Sequence, residues 1–398
     1  MLQISLANCA QDSNLKCMMN QKNQFNILQV TAALEEGGVE RGTVEMAGYI
    51  KSKGCGSFVA SAGGRMQADL EDLGGVHYTL PLQQRNPVTI VYSAFKLASY
   101  IKDNDIELVH ARSRAPAWAA YWACKMTGTA FITTFHGTHK IQNGLKKLYN
   151  SSMVRGLRVI AISQFIKDHV IHNYGIDPEN IDIAHRGINP DNFNPDRFLP
   201  EELAQKRKDL GVDGKFIFTL PGRLTRWKGQ VEFIKALSEL KGDASWHALL
   251  VGGYGKKRAY YDELQALVAA YGLVDRVTFA GSQKDVAIYY ALSDVIISAS
   301  NEPEAFGRVA IEAGAMRKCV IATAHGGSLE TVKNNETGYL TPPSNAPAMA
   351  KILRRVIKDK DVLDSIGEKA YTWVQNTFTV DSMCHSEWVA YMKILGDK

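Results

Sequence analysis

In the stretch EPEAFGRVAIEAGA, Glu304 and Glu312 flank a Phe-Gly pair and an apolar run. A carboxylate accepts hydrogen bonds from two neighbouring hydroxyls, which is what a ribose or another sugar presents. Upstream, FTLPGRLTRWKGQVEFIKAL ends a strand and begins a helix, with Arg223 and Lys228 flanking the turn. Arg supplies a planar donor fork and Lys a compact point charge, a pair suited to a diphosphate. Taken alone, the pair also fits an exposed loop, and either Glu fits a solvated helix start. Together, in one half of the chain, they point to a bound sugar bearing phosphate.

Each of these residues needs an element to hold it. DVIISASNEPEAFGRVAIEAGAM reads as strand, loop and helix. Pro303 and Glu304 close the loop, Phe306 and Gly307 start the helix, and Glu312 lies nearly two turns in. Free amides at that helix start, with the positive end of its dipole, favour phosphate or sugar oxygens. A glycine there lets a ligand approach the backbone.

The same alternation runs through the whole chain. FNILQVTAAL, GCGSFVASA, GVHYTLPL, IELVHARS, AFITTFHG, LRVIAIS and NIDIAHRGI are short β-rich runs separated by helical stretches such as NPVTIVYSAFKLASYIKDN and APAWAAYWACKM. The pattern breaks at NPDNFNPDRFLPEELAQKRKDLG, which reads as a linker. It resumes with KFIFTLPGR, WHALLVGG, RVTFAGS, DVIISAS, CVIATAHGG and TGYLTPPS. Strands alternating with helices imply parallel crossover units, so the expectation is α/β: two doubly wound, Rossmann-like domains facing across a cleft. The expected divisions are a polar extension over 1–24, an N-terminal domain over 25–195, a C-terminal domain over 196–377 and a final helix over 378–398.

Composition narrows the class. The chain has 398 residues, 45% hydrophobic and 22% charged, enough for two globular cores. Its six Cys are scattered without paired spacing, which favours free buried thiols over zinc or disulfides. MLQISLANCA is a poor signal peptide, and no apolar run approaches the roughly 20 residues of a membrane span. The net charge of +5 is unevenly spread, with no Asp or Glu between Leu108 and Lys167. Arg112, Arg114, Lys140, Lys146, Lys147, Arg155 and Arg158 fall there. They form either a solvated face with a few ion pairs or a surface drawn to anionic lipid or a phosphorylated acceptor. No nucleic-acid motif accompanies the charge. DND at Asp103–Asp105 matches a metal motif as a string, but its place between a helix and a strand reads as a turn.

These motifs resemble the retaining glycosyltransferases of the GT-B fold, family 4. Glu304 and Glu312 match that family's E-x7-E pattern, and GRLTRWKG its diphosphate clamp. GGVERG resembles its N-terminal glycine loop, and GGYG the loop before a donor-domain helix. VERGTVEMA, HARSRAPAW, TTFHGTH and GRLTRWKGQ look closest to lipopolysaccharide-core members, including mannosyltransferases. The resemblance implies that Arg223 and Lys228 bind the donor diphosphate, Glu312 the ribose and Glu304 the transferred sugar. It places His136 near that sugar and gives Gly37, Gly38, Gly222, Gly253 and the backbone of Ala305, Phe306, Gly307 and Arg308 to the donor. HRGIN, from His185 to Asn189, matches the segment entering a hinge, and the last helix should return to the N-terminal domain. The implied donor is GDP-mannose or a UDP-hexose, with no cofactor and no metal. The implied acceptor is lipid-linked, at the cytoplasmic side of the inner membrane. A nucleotide-sugar epimerase and a catalytically silent sugar-binding relative are the competing classes.

Overall fold

The computed structural model describes residues 24–139, 141–240, 242–255 and 258–396. Most of the expected polar extension, Cys9, Cys17, Lys140 and the two lysines of GGYGKKR lie outside the described residues. Each β-rich run anticipated above forms a strand. In the first sheet these are β1 (Asn26–Val30), β2 (Gly56–Ser61), β3 (Val76–Thr79), β4 (Leu108–Ala111), β5 (Ala130–Phe135), β6 (Arg158–Ala161) and β7 (Ile181–Ile183). The second sheet holds β8 (Phe216–Pro221), β9 (Trp246–Val251), β10 (Val277–Gly281), β11 (Val295–Ser298), β12 (Cys319–Thr323) and β13 (Gly338–Thr341).

The strand orders are β3-β2-β1-β4-β5-β6-β7 and β10-β9-β8-β11-β12-β13. Apart from the seventh strand of the first sheet, the two orders are the same. Pairing is parallel throughout the second sheet and from β1 to β5 in the first. Parallel strands covered by helices on both faces read as continuous apolar runs. Accordingly, every residue of AFITTF in β5 and of WHALLV in β9 is buried.

Helix ends follow local chemistry. Asn86 caps the helix Pro87–Asp103 by accepting from the Thr89 N–H, and Pro87 occupies the position where a missing N–H costs nothing. The expected turn at DND is present, with Asn104 capping that helix and Asp105 at φ 48°. Cys55, Cys124, Cys319 and Cys384 are buried and form no disulfide among the described residues. Burial pushes the thiols of Cys124 and Cys319 up to about 12.

By contact the chain groups into two compact units. One takes in the described residues through Thr134, Ile141–Val159 and the chain from Trp388 onward; the other holds the segment that starts at Phe135 and all of Ile160–Glu387. In the first unit Tyr391, on the last helix, hydrogen-bonds His110 Nδ1 at 2.6 Å, and Trp388 meets the ring of Tyr49 edge-on. Among the described residues no helix is long and apolar enough to cross a membrane.

Candidate active site

In the second sheet the strand order reverses between β8 and β11, and a crevice opens at such a point beyond the carboxyl ends of the strands. A cavity of about 280 Å³ lies there, lined by Pro221, Gly222, Arg223 and Lys228 after β8 and by Val251, Gly252 and Gly253 after β9. Ser282, Gln283, Val286 and Tyr290 close one side, and Val309 and Glu312 of the helix Arg308–Ala315 close another. Sequence motifs from four strand ends therefore meet around one space.

Backbone shape brings the loops together. Gly252 has φ 159°, and a Cβ there would stand 2.0 Å from the carbonyl oxygen of Gly222. The Gly222 N–H donates to Val251 and the Leu224 N–H to Gly253, zipping the two loops side by side. Gly229, at φ 72°, lets the short turn Arg226–Lys228 pass into the helix Gln230–Ser238. A Cβ at Gly229 would stand 1.7 Å from the Ala299 carbonyl oxygen, so only glycine allows this approach to the end of β11.

The charged groups are already partnered in different ways. Lys228 Nζ donates to Glu304 Oε1 at 2.6 Å, and Ser300 Oγ donates to the same oxygen at 2.6 Å. That pair is largely shielded, with side chains 16% and 11% exposed. The Lys228 ammonium also lies 4.3 Å from the centre of the Trp227 ring. Glu312 accepts from the Tyr290 hydroxyl at 2.7 Å and from Arg308 at 3.1 Å. Burial first, then the neighbouring Glu312 charge, pushes the Tyr290 phenol well above its ordinary value, so it remains a donor. Arg223 is exposed, and its guanidinium makes no ion pair among the described residues. The site thus offers one open cation, one cation held by a carboxylate and a second carboxylate held by a phenol.

Of the residues anticipated for the donor, Arg223, Lys228, Gly222, Gly253 and Glu312 line the cavity, and Glu304 adjoins it through Lys228. The helix begins two residues later than expected: Gly307, at φ 88°, is its cap and Arg308 its first residue. Glu312 is therefore one turn in, directly over Arg308, and not nearly two. Ala305, Phe306, Gly307 and Arg308 do not line the cavity. The Ala305 carbonyl accepts from Ser163, and the Phe306 ring is buried against His185 and Phe378. His136 follows β5, half-buried, and Gly37 caps the helix Gly38–Ser52 in the first unit; none of Gly37, Gly38 and His136 lines this cavity.

Arg112 is a correction. Expected on a surface, it is 1% exposed, because it follows β4 beside β1 and its Nε donates to Gln29 Oε1 at 2.8 Å. Gln29 passes the network on to the Thr43 carbonyl. The other basic residues stay nearer solvent. Arg114 bonds Asn150, Arg155 lies over the Trp118 and Tyr121 rings, Lys146 lies near the Tyr149 ring, Lys147 is exposed and Arg158 is half-buried.

Sequence reasoning missed Tyr290 and Ser300. Both hold the key carboxylates, yet Tyr290 has an identical neighbour in Tyr289, and Ser300 is one serine in a polar loop. It also missed Glu330, which accepts from the Gln164 and Phe165 N–H groups at 2.7 and 3.0 Å and pairs with His185 at 3.1 Å. Burial alone would raise its carboxyl. The His185 hydrogen bond and the two amides outweigh that and hold it below the ordinary carboxylate value.

Comparison with known proteins agrees with the two-sheet fold. Residues 36–192 match Glycosyltransferase Family 4, and residues 203–373 match Glycosyl transferases group 1. A glycosyltransferase of solved structure from Rickettsia africae is 39% identical, with a TM-score of 0.86 over 94% of this chain and 100% of that one. Alr3699/HepE of Anabaena, solved with UDP and glucose, shares the fold at 23% identity and a TM-score of 0.79, over 94% of this chain and 100% of that one. The lipopolysaccharide core biosynthesis mannosyltransferase LpcC of Rhizobium leguminosarum is 30% identical over 189 residues, 47% of this chain and about half (53%) of its own length. With both sheets matched and a relative of known structure covered from end to end, the chain belongs to the GT-B glycosyltransferases whose two parts are the family 4 and group 1 regions.

Proposed function

We propose that this glycosyltransferase is a retaining hexosyltransferase that takes its sugar from a nucleoside diphosphate, GDP-mannose or a UDP-hexose, and passes it to a lipid-linked acceptor of the lipopolysaccharide core. The observation that carries the reading is the convergence of Arg223, Lys228 and Glu312 on one cavity at the strand-order reversal. The crystallised UDP and glucose of the Anabaena relative and the mannosyltransferase activity in the Rhizobium relative's name support it.

In this reading the diphosphate docks against Arg223 and draws Lys228 into a shared contact, and Glu304 turns its released oxygen to the sugar hydroxyls. Glu312, oriented by Tyr290, accepts from the ribose. The bond between the anomeric carbon and the phosphate oxygen breaks while the two cations neutralise the departing charge. The acceptor oxygen bonds to the same face of that carbon, and its proton passes to the leaving phosphate. Two fixed cations perform the charge neutralisation that a metal performs elsewhere, so the reaction is proposed to run without one. His136 is assigned to orienting the sugar.

The acceptor reading draws on the first unit, proposed to sit at the cytoplasmic face of the inner membrane. On Pro87–Asp103, Val88, Val91, Tyr92 and Phe95 form an exposed stripe at helical spacing, 50–79% exposed. Trp122, Leu145, Leu148 and Leu157 are also exposed, at 49–80%, among Lys125, Lys147 and Arg155. Apolar side chains interleaved with cations suit an anionic lipid surface. Two measurements test the proposal. Thermal unfolding with a panel of UDP- and GDP-sugars should show stabilisation by one donor, absent in Glu312→Ala and Lys228→Ala. Sedimentation with anionic vesicles should be strong at low salt and weak at high salt. No stabilisation by any activated sugar would sink the donor reading, and sedimentation indifferent to lipid charge and salt would sink the membrane reading.

A further inference from the structure

The second sheet has another cavity, at the opposite ends of its strands. About 200 Å³ in volume, it opens where Asp294 leads into β11 and Cys319 begins β12. Its charged lining is Arg207, Arg317, Lys318 and Lys360, with Asp294 and Asp364. Four cations face two carboxylates, or three once Glu368 is counted, which sits 3.6 Å from Arg317. Asp294 is fully engaged: it accepts from the Ile217 N–H at 2.7 Å and lies 3.6 Å from Arg207 and 3.9 Å from Lys360. The positive excess therefore falls on Lys318. Among the described residues its ammonium donates no hydrogen bond and has no ion pair.

The backbone is shaped to keep Lys318 there. Arg317 holds φ 54°, a left-handed conformation that residues with a β-carbon seldom adopt. The helix Lys360–Thr377 packs directly against it, because a Cβ at Gly367 would stand 2.2 Å from the Arg317 carbonyl oxygen. The Lys318 amide donates to Ala313 at 2.8 Å, fixing the turn. Burial holds the Lys318 ammonium below its ordinary pKa even though Asp294 and Asp364 pull it upward. A largely buried cation that makes no close ion pair among the described residues is stabilised by an incoming anion.

We propose that this cavity binds a phosphate group, free or as a small phosphomonoester, with Lys318 as its central cation. Arg317 and Lys360 reach it from the rim, and Asp364 accepts the proton of a monoprotonated phosphate or a hydroxyl of the ester. Phosphate is favoured over sulfate because sulfate carries no such proton at neutral pH. The site lies at the other end of the strands from the proposed donor cavity and does not rest on that reading.

Calorimetric titration of the full chain with inorganic phosphate, at constant ionic strength, tests this. Saturable binding is expected, at least threefold tighter than sulfate, with glycerol 3-phosphate separating an ester preference from free phosphate. Lys318→Met should weaken phosphate at least tenfold and leave UDP and GDP affinity unchanged, whereas Lys228→Ala should do the converse. Lys360→Gln, at a side chain 72% exposed and so harmless to folding, should weaken phosphate at least threefold. Phosphate affinity unchanged in both Lys318→Met and Lys360→Gln, loss of phosphate binding in Lys228→Ala instead, or sulfate binding as tightly as phosphate would each overturn the assignment.

Discussion

The two sheets share a strand order and differ in what their polar residues do near its reversal. In the first sheet, where β1 lies beside β4, Arg112, Gln29 and Thr43 form a buried chain of hydrogen bonds. In the second, where β8 lies beside β11, Arg223 and Lys228 stand at the wall of a cavity, with Glu304 beneath. An inward guanidinium ties two strands together, while an outward one awaits a ligand. The topology decides where polar groups gather; the loop that follows each strand decides whether they hold the fold or meet a substrate.

Substitutions on either side can break or sharpen that contrast. The largest effect is expected from Lys228→Ala, which removes a charge-assisted contact worth about 1.5–3 kcal/mol and should weaken nucleoside diphosphate binding about 10- to 150-fold by calorimetry. Unchanged affinity would place the diphosphate elsewhere. Arg112→Met should do the opposite, costing about 1–3 kcal/mol of stability by stranding Gln29 while leaving nucleotide affinity alone. Chemical denaturation reads this, and loss of nucleotide binding without loss of stability would reverse the comparison. Tyr290→Phe tests the support of Glu312. Removing one hydrogen bond of about 1 kcal/mol should weaken nucleotide binding about fivefold with little change in melting temperature.

The smallest effect concerns Glu330. Its folded carboxyl lies below the ordinary value of about 4.3, so its stabilising contribution is present above that pH and is lost as pH falls through the folded value. Glu330→Gln should therefore melt lower than the parent at neutral pH, and the gap should narrow in acid, closing as pH falls through the folded value. A gap that persists in acid would mean that the carboxylate charge is not what stabilises.

Much of this was legible because local signals and global fold agree. Runs such as ALLV in β9 and VII in β11 are apolar without alternation, as a strand covered on both faces requires. Arg223 and Lys228 were legible because a strand end followed by a short turn fixes where its loop must project. Arg112 was misread for the converse reason: residue type argues for solvent, and only the neighbouring strand reveals Gln29 opposite. The helix before Ala315 began later than expected because Gly307 takes a left-handed cap that no residue count discloses.

The sequence by itself determined the alternation of strands and helices, the repeated architecture and the residue types available at the strand ends, since periodicity and turn chemistry are local properties. Tertiary structure alone decided that Lys228 rests on Glu304, that Tyr290 and not Tyr289 holds Glu312, and that Lys318 makes no ion pair among the described residues at the far end of the sheet. Those facts depend on distances between segments far apart in the chain, which the order of residues does not contain.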